Sequence, residues 1–363
     1  MYLTNLKISN FKSYGELDVD FCPNVNCLVG NNGVGKTNLL EAIYYLSFCK
    51  GCRGGGDVPN IRRGEEYFAI HGRYGVEGEN VQASCVVRKG MPKQMKWNGK
   101  VCKTLGEHIG RIPLVMVSPQ DQEIIVGGSE VRRRFVDGVL SQTDRVYLDH
   151  LLQYARALEQ RNRLLKDERV PALLLETFSE RMAPHAEYVH ASRRDLCDRL
   201  RPMVQEFYAR LSQGRESVDL SYRSDLDGMT LGELFAREAD KERVLHYTTA
   251  GIQRDDLQFR LDGHPLRRCG SQGQQKSFLL AMKLAQFRFV RDIYGQTPIL
   301  LLDDVFDKLD MQRVEDLLSL VSTLDFGQIF LTDSNKVRLD EVARRIEAPC
   351  CHFHVESGNI TAE

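Results

Sequence analysis

The sequence predicts an α/β chain: a mixed central sheet carrying a phosphate-gripping loop, an antiparallel β-subdomain, and an inserted α-helical arm. Three observations carry this prediction. A glycine-rich run from Gly30 to Thr37 stands between a short apolar run and a stretch of helical spacing. Residues 68–101 alternate apolar and polar in short runs broken by turn residues. From Leu140 to about Leu211 the apolar positions recur with helical period, before strand patterns return near Leu257.

Tyr2 to Ser9 alternates loosely, residues 10–15 turn, and Glu16 to Phe21 sets Leu17, Val19 and Phe21 on one face. Two antiparallel strands are therefore expected at the start of the mixed sheet. Asn26 to Val29 reads as a short buried strand leading into Gly30-Asn31-Asn32-Gly33-Val34-Gly35-Lys36-Thr37, and a helix is expected from Asn38 to Leu46. Strand, glycine-rich turn and helix form the context that the GxxxxGK[ST] pattern requires. The glycines let backbone N–H groups curl around phosphate oxygens, and the helix N-terminus adds its positive dipole end. Lys36 is placed to reach β- and γ-phosphates, and the Thr37 hydroxyl to hold Mg2+. A chance match in a glycine-rich loop is the plainer reading, and the flanking strand and helix argue against it.

Gly51 to Gly64, rich in glycine and arginine, reads as an exposed loop. Strands are then expected at Phe68–Tyr74 and Val81–Arg88, and Asn98-Gly99 signals a hairpin between Met95-Lys96-Trp97 and Lys100-Val101. Arg88, Lys89, Lys93, Lys96, Lys100 and Lys103 crowd this stretch with no acid among them. Such a hairpin either meets nucleic-acid phosphates through Lys89, Lys93, Lys96 and Lys100, with Trp97 stacking, or is an ordinary solvated hairpin with Trp97 turned inward. Ile112 to Val117 reads as a buried strand ending at Ser118-Pro119-Gln120-Asp121, where a polar side chain past a strand end can contact metal or water. Ser129 to Asp137 begins a helix whose triplet, Arg132, Arg133 and Arg134, suits either a surface or phosphates.

Tyr147, Leu148, Leu151, Leu152, Ala155 and Leu158 form one apolar stripe. After Pro171 a second runs through Leu174, Phe178, Met182 and Val189 toward Leu200, Val204, Phe207 and Leu211, with Pro184 and Pro202 expected to kink or divide it. Joined through Lys166-Asp167-Glu168-Arg169, the two stretches read as a compact antiparallel helical arm. Gly214 to Gly228 breaks the pattern, and Leu231 to Thr248 reads as one more helix. The expected division is 1–137 and 249–363 for the two parts of the head, and 138–248 for the arm.

In the last third, Leu257 to Leu261 alternates as a strand, and Gly263-His264-Pro265 turns it. Ser271-Gln272-Gly273-Gln274-Gln275-Lys276 then opens an apolar-rich helix, a second anion-binding terminus. A second phosphate cradle in the same lobe is spare within one chain unless it serves a neighbour's nucleotide; the plainer reading makes Ser271 a helix cap. Pro298 to Asp304 is an apolar strand with two acids at its carboxyl end, where α/β sheets place their chemistry. Asp303 is expected to order Mg2+ and Asp304 to polarise the attacking water, with Asp307, Leu309 and Asp310 on the next loop. Ile329 to Asp333 is another buried strand, and Thr332 at its end is placed to sense a γ-phosphate. The glycine-rich loop, the serine–glycine helix opening and the strand with two acids occur in the order of an ATP-binding-cassette head.

Bulk properties exclude little. With 363 residues and a formal net charge of -1, the chain holds two or three lobes, and only local patches can argue for nucleic acid. No leader pattern and no apolar run of membrane-spanning length occurs, so a soluble cytoplasmic protein without a membrane partner is expected. Ten cysteines include a single CxxC, Cys49 with Cys52, whose candidate partner set for zinc, Cys350-Cys351-His352-x-His354, is remote. Reduced thiols are expected rather than zinc.

At these motifs the chain resembles the RecF family of bacterial recombinational repair, relatives of the SMC and Rad50 heads, essentially end to end. Asn10-Phe11-Lys12-Ser13-Tyr14 resembles the family's opening motif, whose basic residue, here Lys12, approaches nucleotide phosphate. Residues 118–137 resemble its central motif, with Gln120 near the cassette glutamine position, where it would contact metal; a shift of two makes it Gln122. Ser271 to Lys276 resembles the signature, and Leu301 to Asp310 the Walker B segment and D-loop. Where the family commonly writes Gly-Pro-His-Arg-Asp-Asp, this chain has Gly251-Ile252-Gln253-Arg254-Asp255-Asp256, so no role rests on the histidine, and Arg254, Asp255 and Asp256 are candidates for linking lobes.

The resemblance implies a weak, DNA-stimulated ATPase using ATP and Mg2+, a homodimer formed on ATP, and recognition of double-stranded, gapped or single-strand-junction DNA. It implies action with RecO and RecR in loading RecA, in repair and the SOS response. The other classes weighed are an ATPase subunit of a nuclease or transporter, which calls for a nuclease acid cluster or a membrane partner, and a P-loop phosphotransferase, which leaves the Ser271 motif without a purpose.

Overall fold

The computed structural model describes residues 1–52, 54–167, 171–305, 326–346 and 349–362. Asp307, Leu309 and Asp310 of the expected loop after the acids, and Glu168 and Arg169 of the arm's connection, lie outside the described residues. The chain forms two compact units, 1–121 with 283–363 and 122–282. These boundaries differ from the expected ones at 137/138 and 248/249.

In the first unit, β1 (Tyr2–Phe11), β2 (Tyr14–Asp20), β4 (Tyr67–Val76), β5 (Glu79–Arg88), β6 (Gln94–Trp97) and β7 (Lys100–Val101) make one antiparallel sheet in the order β2-β1-β4-β5-β6-β7. The two opening strands thus belong to this sheet and not to the mixed one. The β6–β7 turn has positive φ at both Asn98 (47°) and Gly99 (77°), as a two-residue hairpin of matching twist demands. Most described residues from Gly51 to Gly64 are exposed, as expected, while Val58–Asn60 form a single 3₁₀ turn and Asn60 and Ile61 are buried.

The mixed sheet contains β3 (Val25–Val29), β8 (Leu114–Val117), β12 (Ile299–Asp303), β13 (Ile329–Asp333), β14 (Cys350–Glu356) and β15 (Asn359–Ala362), in the order β15-β14-β3-β13-β12-β8. All its pairings are parallel except β14 with β15. Strands β3, β8, β12 and β13 are buried throughout, as strands covered on both faces must be. Helix α1 (Lys36–Phe48) touches β1, β4 and β5 of one sheet and β8, β12 and β13 of the other. It is therefore apolar around most of its girth, and Leu39, Leu40, Ile43 and Leu46 are each fully buried. Each such side chain contributes about 1.5–3 kcal/mol.

The second unit is helical, with a small sheet. It holds α2 (Glu123–Val126), α3 (Ser129–Thr143), α4 (Arg145–Leu164), α5 (Ala172–Ser212), α6 (Leu231–Leu245), α7 (Leu266–Cys269) and the first half of α8 (Gln272–Tyr294). Strands β9 (Val218–Arg223), β10 (Asp256–Leu261) and β11 (His264–Pro265) pair in the order β11-β10-β9. Strand β9 lies within the stretch from Gly214 to Gly228 that the sequence left patternless.

Pro184 and Pro202 do not divide the arm, because α5 is one continuous helix of 41 residues. Each interior proline costs about 3 kcal/mol, but Met182, Val189, Leu196, Leu200, Val204 and Phe207 are buried along the same helix and outweigh that cost. On α4 the buried residues are Tyr147, Leu148, Tyr154, Ala157 and Arg161, while Leu152 of the expected stripe is 43% exposed.

Buried ion pairs explain why α3 and residues 249–282 join the second unit. Arg132 on α3 meets both carboxylate oxygens of Asp256, at 2.6 and 3.1 Å, and Arg133 donates to the Asp255 carbonyl at 2.7 Å. Arg193 on α5 bridges Asp137 at 2.9 Å and Asp255 at 2.7 Å. Burial raises the Asp255 carboxyl, and Arg193 draws it back down. Removing one partner of a buried pair costs about 3–5 kcal/mol. Arg193→Met should lower the unfolding free energy by that amount in urea titration. Arg134→Met, which breaks only the exposed pair with Glu130, should cost less than about 1 kcal/mol.

Candidate functional site

The carboxyl ends of β3, β13 and β12 lie side by side, because β13 pairs with both neighbours in parallel: Asp303 is level with Thr332, and Thr332 with Leu28. The turn leaving β3 and the first turn of α1 close over these ends. Asn32, Gly33, Gly35, Lys36, Thr37, Asn38, Asp303, Asp304 and Thr332 line a cavity of ≈ 260 Å³.

Two glycines in the loop are required by their surroundings. A Cβ on Gly30 would lie 2.3 Å from the Val355 carbonyl oxygen. Gly35 has φ +119°, and its Cβ would meet the Ser13 hydroxyl at 2.9 Å. The loop is braced from the β1–β2 turn, where the Tyr14 hydroxyl donates to the Gly35 carbonyl at 3.0 Å and the Asn38 amide to the Ser13 hydroxyl at 2.8 Å.

Lys36 is 7% exposed and donates to the carbonyls of Gly30 (2.7 Å) and Asn31 (2.9 Å). Burial lowers its pKa, while Asp304, Asp303 and Asp333 oppose the shift. The Thr37 hydroxyl donates to Asp303 at 3.0 Å, and the Thr332 hydroxyl donates to the same carboxylate oxygen at 2.8 Å. Burial raises the Asp303 carboxyl against those two hydrogen bonds. Asp304 sits in the left-handed region at φ 51°, and its N–H donates to the Thr332 hydroxyl at 2.9 Å. A strained acid beside a buried one is the kind of backbone outlier that marks functional sites. Thr332 thereby links the Asp303 carboxylate to the Asp304 backbone, and its one proton is committed to Asp303. Beside it, Asp333 is held by a bidentate Arg338, at 2.7 Å on each oxygen.

Several expected site residues stand elsewhere. Lys12 is paired with Glu41, which is 1% exposed, and does not line the cavity. A glutamate within the buried helix α1 was the signal for this pair. Gln120 is exposed on a 3₁₀ turn, Pro119–Gln122, and does not line the cavity either. That turn is anchored by Asp121, which accepts from the Ser118 N–H and pairs with Lys283 at 2.7 Å. The alternative residue, Gln122, donates to Gln275 at 2.9 Å in the second unit. Ser271, Gly273 and Gln274 also fall in the second unit, so the two helix openings do not share one. Ser271 is an exposed cap: its hydroxyl accepts from the Gln274 N–H at 3.3 Å, and the Gln274 side chain accepts from the Ser271 N–H at 2.6 Å.

The cations assigned to DNA divide the same way. Arg132 is engaged by both Asp256 oxygens, and the half-buried Arg133 donates one N–H to the Asp255 carbonyl. Lys93 is turned inward onto Asp57 at 2.8 Å, the Cys49 carbonyl at 2.5 Å and the Tyr45 hydroxyl at 3.1 Å. Trp97 packs against the core beside His108, whose pKa burial lowers to about 4, and Arg111 lies over its ring. Lys89 pairs with exposed Glu66, and Lys100 is exposed. Lys96 lies in register with Ser84, His71 and Lys7 across the sheet. A charged hydrogen bond contributes about 1.5–3 kcal/mol. Lys93→Met should therefore lower stability by that order in denaturant titration and leave the salt dependence of DNA binding unchanged. Lys96→Ala with Lys100→Ala should keep stability and flatten the log–log salt slope by up to about two.

Residues 5–170 match the family model described as an AAA domain. The DNA replication and repair protein RecF of Parabacteroides distasonis is 44% identical over 360 residues, covering 99% of both chains. That of Flavobacterium johnsoniae is 40% identical over 348 residues, covering 95% of this chain and 97% of the relative. The solved structure of the recombination mediator protein RecF with ATP, in the RecFOR pathway, has a TM-score of 0.89 at 28% identity and covers 100% of this chain and 97% of its own. An Smc head bound to the C-winged helix domain of ScpA has a TM-score of 0.58 at 15% identity, covers 100% of this chain and 98% of its own, and shares the fold. With such identity sustained along nearly the whole of both chains, this chain belongs to the family of RecF DNA replication and repair proteins.

Proposed function

We propose that the chain is an ATP-dependent DNA-binding protein of recombinational repair. In this reading it hydrolyses ATP weakly, faster on DNA, dimerises on ATP, and acts in the cytoplasm. It recognises gapped or junction DNA and, with RecO and RecR, helps load RecA onto single strands. One observation carries the reading: Lys36, Thr37, Asp303, Asp304 and Thr332 converge on one cavity from three adjacent strand ends.

The donor set fits a nucleoside triphosphate with a divalent cation. A glycine-rich loop before a helix offers N–H groups, Lys36 offers a buried ammonium, and the Thr37 hydroxyl and Asp303 carboxylate already meet at 3.0 Å. When bound, Mg2+–ATP supplies the phosphoanhydride bond to be hydrolysed. Lys36 then neutralises phosphate charge, and Thr37 and Asp303 hold the cation. Asp304 polarises the attacking water, and Thr332 keeps the two acids apart and aimed. Gln120 has no part in this reading.

Ser271 extends the site to a second chain. Its oxygen accepts from Gln274, which leaves its own proton to give to an anion, and it is exposed. Two chains in two-fold apposition each lend Ser271, Gly273 and Gln274 to the other's nucleotide. ATP then favours the closed dimer because it binds that state better, and hydrolysis removes the preference. For DNA, the exposed Lys89 and Lys100 and the half-buried Lys96 track the backbone phosphates.

Calorimetry and a phosphate-release assay test the site. Lys36→Ala should weaken ATP about 10- to 100-fold, the worth of charged hydrogen bonds. Asp304→Ala should keep the affinity and lose turnover. Unchanged ATP affinity in Lys36→Ala, or full turnover in Asp304→Ala, contradicts these roles.

A further inference from the structure

Two thiols and an imidazole meet on the mixed sheet, apart from the residues that line the nucleotide cavity. Strand β14 runs parallel beside β3, with His352 level with Cys27 and Cys350 level with Val25. Cys350 and His352, two residues apart, therefore share one face of β14. One ligand atom from each of Cys27, Cys350 and His352 lies within 4.8 Å of the others, and the two sulfurs are 3.3 Å apart. Cys27 is fully buried, and Cys350 and His352 are partly so.

We propose that Cys27, Cys350 and His352 form a zinc site. Two thiolates and a neutral imidazole are a donor set that zinc prefers over the oxygen donors of Mg2+ or Ca2+. Zinc–sulfur bonds of about 2.3 Å in a tetrahedron set their sulfurs about 3.8 Å apart. The pair has to open by only about 0.5 Å, within the reach of a side-chain rotation. Three protein ligands leave the fourth position to water. The set differs from the one sequence spacing suggests. Cys49, of the single CxxC, is instead buried near Lys93, Cys102 and Asp57, and burial pushes its thiol up to about 12.

The site's place gives the metal a structural task. Cys27 lies three residues before Gly30, and the Val355 carbonyl on β14 is the atom against which Gly30 packs. A metal held by both strands clips β14, remote in sequence, to the strand that carries the phosphate loop. Closing so long a loop makes binding free energy into folding free energy.

The test uses the full chain, kept reduced, stripped by chelator and titrated with Zn2+ or Co2+. The expected result is one zinc per chain after gel filtration, measured by mass spectrometry of the metal, and a melting temperature that rises with zinc. Co2+ should give thiolate-to-cobalt charge-transfer absorption and the intense visible bands of tetrahedral geometry. Cys350→Ser and His352→Asn, at partly exposed positions, should each lose the stoichiometric zinc and the response of the melting temperature, while Cys102→Ser keeps both. His352→Asn decides the matter if Cys350→Ser fails to fold. Absence of the cobalt–thiolate band in the unsubstituted chain overturns the proposal. Full retention of zinc by His352→Asn overturns it equally.

Discussion

Thr332 gives its single hydroxyl proton to Asp303 and takes the backbone N–H of Asp304 on the same oxygen. The rest of the site depends on that shared atom. It exists because β13 lies between β3 and β12 in parallel register, which brings a hydroxyl, two acids and the phosphate loop to one edge of the sheet. Slipping β13 by one residue would turn Thr332 to the opposite face and leave Asp303 buried with one hydroxyl instead of two. A buried acid without partners is expensive, so the register that builds the cavity is also the one the core favours.

The second unit rests on a different economy of charge. Arg193 is 3% exposed, and its guanidinium spans Asp137 on one helix and Asp255 just ahead of β10, while Arg161 meets Glu242 at 2.7 Å and lies over Phe235. Such pairs contribute little net stability against apolar packing but specify which elements meet. They join α3, α5 and residues 252–261 into a body that strand pairing alone would leave loosely connected.

Much of the first unit was legible in sequence because its signals are local. The phosphate loop is a contiguous motif, and the strands ending at Asp303 and Thr332 are apolar runs with polar ends. The Asn98-Gly99 turn carries its own backbone requirement. What could not be read were the partners of charged side chains. Lys93 looks free beside five other cations, yet its acid, Asp57, is 36 residues away, and the acid that claims Arg132 is 124 residues away. Lys12 and Gln120 were placed by resemblance, and the partner of Lys12, Glu41, is 29 residues away. Pro184 and Pro202 do not divide α5 for a related reason: local propensity was outvoted by long-range burial along the helix.

The central claim is that nucleotide in this cavity makes two chains into one body, with Ser271 of each completing the other's site. The mass of the protein in solution, measured by sedimentation with and without ATP and gapped DNA, tests it most directly. The account predicts a monomer alone, a doubled mass with ATP, and a monomer under both conditions when Ser271 is replaced by arginine. A mass that ATP leaves unchanged, or a Ser271→Arg chain that doubles as readily as the unsubstituted one, would contradict it.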